Sequence, residues 1–184
     1  FLFRANFWIL GYIHFVRLGI IFTIISWIPI FMFETLEFDI VTSGLSIPIM
    51  SIAGIFAMLI GGIISKRGGE INIILLSFIA FVPVFYLFSM AEGAGIIWTL
   101  IILIGWLSIL NIGPMWAISS RTAPVGQEGK ISSYYNTIAS GGALTMPLLL
   151  GYTRDLTGSF ESGWLIIAAL CGIATIFILL LRLR

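Results

Sequence analysis

The sequence predicts an all-α membrane protein built as a bundle of six transmembrane helices, and three observations predict it. Of 184 residues, 60% are hydrophobic and only 9% charged, against about 25% charged in an ordinary soluble domain. The chain divides into apolar runs of the length needed to cross about 30 Å of hydrocarbon. All eight carboxylates (Glu34, Glu37, Asp39, Glu70, Glu92, Glu128, Asp155 and Glu161) fall in the gaps between those runs. The runs are continuous, without the period-two alternation of a lipid-facing barrel, so helices rather than strands are expected.

The expected spans are 7–33, 41–64, 71–90, 95–119, 131–152 and 164–181, and residues 1–184 read as a single transmembrane domain. Lys and Arg near span ends set orientation. Arg4, Lys66, Arg67, Arg121, Lys130, Arg182 and Arg184 lie on one side, and Arg154 alone, beside Asp155, on the other. That bias places both termini in the cytoplasm, with the protein in the cell membrane. The net charge of +1 gives no nucleic-acid signal.

The first span carries His14 and Arg17, which share a helix face at i, i+3 spacing. A helix beginning at Leu18 is about 24 Å long and too short to cross, so Arg17 lies at membrane depth. An arginine there costs several kcal/mol unless it meets water, a partner or a substrate. Substrate contact, a snorkelling anchor and an internal hydrogen bond are all open readings; His14 is open between a packing role and a substrate or proton role. Gly19, Thr23 and Ser26 form a second stripe about 140–180° round the helix. One stripe must therefore pack on a neighbour, or the helix is distorted near Gly19 or Pro29.

The second span, with Ser43, Gly44, Ser46, Ser51, Gly54, Gly61 and Gly62, reads as a close-packing helix. The third, with Pro83, and the sixth, with Cys171 and Thr175, read as lipid-facing supports. Cys171 has no intrachain disulfide partner and reads as an apolar packing residue. In the fourth span Ser108 and Asn111 share a face ahead of a kink expected at Gly113 and Pro114. Asn111 is open between substrate contact and a bond to another helix. The fifth span is the most polar: Ser133, Asn136, Thr137 and Ser140 form one stripe suited to a water-lined cavity or to interhelical hydrogen bonds.

Three stretches resemble the C-terminal six-helix half of a major facilitator superfamily transporter. The loop Gly61-Gly62-Ile63-Ile64-Ser65-Lys66-Arg67-Gly68-Gly69-Glu70 is similar to the family's cytoplasmic loop motif, with Gly62, Ser65, Lys66, Arg67 and Gly69 as matching positions. Lys66 stands where the family usually has Asp, and Glu70 where a basic residue is common. The segment Gly151 to Ser159 is similar to the exit from the eleventh helix. Arg17-Leu18-Gly19-Ile20 followed by Trp27-Ile28-Pro29 resembles the seventh helix of anion-transporting branches, including organophosphate:phosphate antiporters and cyanate- or nitrate-type carriers.

The resemblance implies one half of a twelve-helix fold, with a missing N-terminal half as partner and the lipid bilayer as surroundings. It implies transport of a small-molecule substrate, a small organic or inorganic anion, by alternating access. Arg17, His14, Asn111, Asn136 and Ser140 are the candidate substrate-binding residues. A self-assembling six-helix channel or small transporter is the alternative. The chain has one His, no Gly-x-Ser-x-Gly and no phosphate-binding Gly-Lys-Ser/Thr loop, so neither an enzyme, a metal site, a cofactor nor ATP-driven pumping is expected. It opens on Phe1 without a signal-peptide pattern and reads as the second part of a longer chain.

Overall fold

The computed structural model describes residues 5–65, 69–91 and 93–182, with no side-chain description at Ser65 and Arg182. Among the described residues there are eight helices and no strands: α1 (Ala5–Glu34), α2 (Ile40–Gly44), α3 (Ser46–Ser65), α4 (Glu70–Ser89), α5 (Ala94–Leu110), α6 (Ile112–Thr122), α7 (Glu128–Thr157) and α8 (Glu161–Arg182). They form six rods, because α2 runs into α3 and α5 into α6.

Both interruptions have a proline behind them. A proline has no N–H to donate and its ring clashes with the carbonyl four residues back. Pro48 acts on Gly44, where α2 ends, and Pro114 acts on Leu110, where α5 ends. The bend in the fourth rod therefore falls at Asn111, ahead of the Gly113–Pro114 pair at which the sequence placed it. Pro29, Pro83 and Pro147 lie within continuous helices.

Five rods are long and apolar enough to cross a membrane: Ala5–Glu34, Ile40–Ile64, Glu70–Ser89, Ala94–Thr122 and Glu161–Leu181. The remaining one, α7, has the length but carries the polar stripe. It also extends past 152 to Thr157, where Gly158 takes a left-handed conformation (φ 72°) and its N–H bonds to the Arg154 carbonyl. Arg154 and Asp155 are thus helical, not in the loop where the sequence reading placed them.

Glycine sets how closely the rods approach. A Cβ at Gly142 of α7 would lie 2.0 Å from the Phe15 carbonyl oxygen, and one at Gly19 of α1 would lie 2.1 Å from Met146 Sδ. These contacts lock α1 and α7 side by side, running parallel. A second parallel pair, α3 with α5 and α6, closes the same way, Gly61 against the Leu110 carbonyl and Gly105 against the Met50 carbonyl. α4 and α8 pair antiparallel through rings: Trp164 is stacked on Phe85 at 6.1 Å and edge-on to Phe88 at 5.0 Å. One side of α4 is therefore core, with Phe78, Phe81, Phe85 and Phe88 fully buried, and Leu76, Ile79, Tyr86 and Leu87 keep an exposed apolar side.

Charge marks the two ends of the bundle. At one end Glu70, the first residue of α4, meets Arg121 in the last turn of α6 at 2.8 Å, in contact without an aligned hydrogen bond. Each sign complements its own helix dipole. At the other end Arg154 pairs with Glu34, its guanidinium 4.9 Å from the Phe160 ring centre.

Candidate functional site

By the 1.5 Å rise per residue, α1 is about 45 Å long and Arg17 lies roughly 4 Å from its midpoint. The side chain is 6% exposed and Nε is enclosed without a partner. Arg17 makes no hydrogen bond or ion pair among the described residues, whose two ion pairs sit at the bundle ends. The side chain is buried in the bundle with no bond to it, so of the three roles open in the sequence the internal hydrogen bond has no contact to support it.

His14, one turn earlier, is fully buried. Its ring stacks on Tyr135 of α7 (5.1 Å, 12°) and lies 5.0 Å from Trp116 of α6. Its Nε2 is 2.9 Å from Ser119 Oγ, and Ser119 donates to the Met115 carbonyl at 2.8 Å. The Ser119 hydroxyl has both the Met115 carbonyl and His14 Nε2 within reach, and which partner donates in the His14–Ser119 bond follows the imidazole tautomer. The other ring nitrogen, Nδ1, is buried and unpartnered. Sequence reasoning missed Trp116, Ser119 and Tyr135. The signal available was the i, i+3 pair Trp116 and Ser119 near the end of an otherwise apolar span.

The two stripes of the first span are resolved by packing, without distortion. α1 is continuous through Gly19 and Pro29. Gly19 is pressed on α7, Thr23 Oγ1 donates to its own helix at the Gly19 carbonyl, and Ser26 is exposed.

Asn111 sits at the α5–α6 interruption, fully buried, with neither Oδ1 nor Nδ2 partnered; Ser108 Oγ, one turn away, is buried and unpartnered as well. The stripe on α7 lies on the outside of the bundle. Asn136 and Ser140 are exposed, and the hydroxyls of Ser133, Thr137 and Ser140 bond back to the carbonyls of Gly129, Ser133 and Asn136 of their own helix. So the structure brings His14 and Arg17 together, buries Asn111 at a bend, and leaves Asn136 and Ser140 on an open helix face.

Of the loop-motif positions, Gly62 is exposed on α3, Ser65 ends that helix, and Gly69 caps α4 just before Glu70. Lys66 and Arg67 lie outside the described residues. The sign at Glu70 is matched by Arg121, which supplies the basic partner from α6.

Two curated relatives are similar to this chain. The probable galactarate/D-glucarate transporter of Escherichia coli (strain K12) is 24% identical over 172 residues, covering 85% of this chain and 36% of the relative. The protein of the same description from Bacillus subtilis (strain 168) is 24% identical over 165 residues, covering 79% and 33%. The chain thus spans about a third of the length of the curated relatives it matches. The family model described as Major Facilitator Superfamily matches residues 1–147. With that match running from the start of the chain into α7, over an all-helical bundle of six rods, the chain belongs to the Major Facilitator Superfamily.

Proposed function

We propose that this chain forms a six-span half of a secondary or facilitative transporter for a small organic anion, and that Arg17 holds the anion's charge. The observation that carries the reading is a guanidinium buried near the middle of a membrane-length helix with no acidic partner among the described residues. A buried cation of this kind costs several kcal/mol until a counter-charge arrives. A solute carboxylate supplies one with a geometry that matches the guanidinium fork. The relatives named for galactarate and D-glucarate favour a carboxylate over an inorganic anion.

A second six-helix set completes the carrier in this reading, with the solute between the halves near the midplane and access alternating between the two sides. The open α7 face bearing Asn136 and Ser140 suits the water-lined path, and the unpartnered Asn111 amide suits a solute hydroxyl. In this reading both termini of the chain lie in the cytoplasm, as the distribution of Lys and Arg along the sequence implies. No carboxylate lies in the middle of a described helix, so nothing here offers an acidic proton relay, and exchange of one anion for another is the coupling we favour.

The test is uptake of labelled D-glucarate and simpler carboxylates by proteoliposomes carrying the complete protein, with and without anion preloaded inside. Uptake that rises with preloading is expected. Arg17→Ala should abolish it at matched expression, and Arg17→Lys should keep the charge but lose the two-pronged contact. Normal uptake by Arg17→Ala would remove the role given to this residue.

A further inference from the structure

The ends of α1 and α4 and the start of α8 leave an open cavity of about 500 Å3 at the Glu34–Arg154 end of the bundle. Its nearest α1 residue, Phe31, is about 21 Å along the helix from Arg17, so it is separate from the site described above. Glu37 and Glu161 line it, and neither has a cationic partner among the described residues. Five described carboxylates at this end, Glu34, Glu37, Asp39, Asp155 and Glu161, share one cation, Arg154, which is committed to Glu34.

The rest of the lining adds acceptors and apolar surface. α1 and α4 both end here with the negative poles of their dipoles, and the positive pole of α8 is met by Glu161 in its own first turn. The Thr35 and Ser89 hydroxyls can accept as well. Phe31, Leu36, Met90 and Phe160 supply the apolar wall. A site rich in acceptors suits a ligand that only donates, and an ammonium head has three donors and no acceptor. A hydrated metal ion gains nothing from the apolar wall, whereas an alkyl chain does. The chain carries its own precedent beside the cavity: Arg154 pairs with Glu34 while its guanidinium lies 4.9 Å from the Phe160 ring centre.

We propose that this cavity binds an alkylammonium ion, whose charged head bonds to the Glu37 and Glu161 carboxylates and whose chain lies on Phe31, Leu36 and Met90. The occupant bridges the loop after α1 to the start of α8. The site stands or falls independently of the role given to Arg17.

The experiment is calorimetric titration of the complete protein, in neutral detergent and physiological salt, with methylammonium, pentylammonium and Mg2+. The Glu37→Gln/Glu161→Gln double variant in the same micelles gives the blank for partitioning of the alkyl chain into detergent. After that subtraction, pentylammonium should bind saturably and at least about tenfold tighter than methylammonium, as half-burial of four extra methylenes implies. Glu37→Gln and Glu161→Gln should each weaken it at least about fivefold. Asp155→Asn removes the same charge from the same end but outside the cavity and should change binding less than twofold. An equal loss in Asp155→Asn would mean diffuse attraction to an acidic surface and overturn the site. So would equal affinity for the two amines, displacement of pentylammonium by an equal concentration of Mg2+, or no saturable binding above the blank. The first two of these comparisons with the amines and Mg2+ use the unmutated protein, so they decide the matter even where a variant fails to fold.

Discussion

Gly141 and Gly142 are adjacent on α7, yet they face different surroundings, and that makes them a paired test of how α1 and α7 are held. A Cβ at Gly142 would lie 2.0 Å from the Phe15 carbonyl oxygen and 2.7 Å from its carbonyl carbon. Both are backbone atoms of a buried helix and no rotamer change can move them. Restoring ordinary van der Waals contact at about 3.4 Å requires the helices to separate by more than about 1 Å locally, which loosens the Gly19–Met146 contact one turn along. Overpacking of this kind costs about 1–3 kcal/mol.

A Cβ at Gly141 would meet only the edge of the Phe15 ring, at 3.7 Å, an ordinary contact. Gly141→Ala should be neutral or stabilising by up to about 1 kcal/mol, the helix-propensity difference. Thermal unfolding of the purified protein in detergent should place Gly142→Ala several degrees below Gly141→Ala, at roughly 2–4 °C per kcal/mol for a chain of this size. Equal midpoints for the two variants would refute the argument that direct backbone contact sets the spacing of these helices.

The Glu70–Arg121 pair should respond asymmetrically, because Glu70 is 4% exposed and Arg121 is 63% exposed. Arg121→Ala strands a buried carboxylate and should cost about 1–3 kcal/mol, whereas Glu70→Gln leaves a solvated arginine and should cost under about 1 kcal/mol; a double-mutant cycle on unfolding in detergent checks the order. At the opposite end the Arg154–Glu34 pair is partly solvent-exposed on both sides, so Glu34→Gln should change stability by no more than about 1 kcal/mol, less at high salt. Asp39 caps α2, and the Thr42 side chain first, with the N–H groups of Thr42 and Val41, holds its carboxyl below the usual Asp value. A lowered folded value means the stabilisation is present above the unfolded value and lost as pH falls through the folded one. Hydrogen exchange at Val41 and Thr42, corrected for intrinsic rate, should therefore accelerate in acid, and Asp39→Asn, which still caps, should abolish that dependence.

The six rods were legible in the sequence because hydrocarbon thickness fixes the length of an apolar run and water exclusion confines charge to the gaps. Proline chemistry was legible only in part. Pro48 and Pro114 break their helices while Pro29, Pro83 and Pro147 do not, a difference that residue type alone does not decide. Gly19, Gly141 and Gly142 can be read from the sequence as small residues of α1 and α7, but which glycine meets backbone cannot, since that depends on the rotation of one helix against another.

For the candidate site, residue type and spacing were enough to single out His14 and Arg17: few side chains are so costly at membrane depth, and i, i+3 spacing puts them together on any helix. Tertiary structure alone decided what surrounds them. Ser119 lies 105 residues from His14 in the chain, and only the packing of α6 on α1 and α7 brings its hydroxyl to Nε2 and so settles which ring nitrogen is left unpartnered. It likewise decided that Asn111 is enclosed while Asn136 and Ser140 are open. A one-dimensional pattern specifies which residues share a face of one helix; which neighbour that face meets is set by the summed contacts of all six rods.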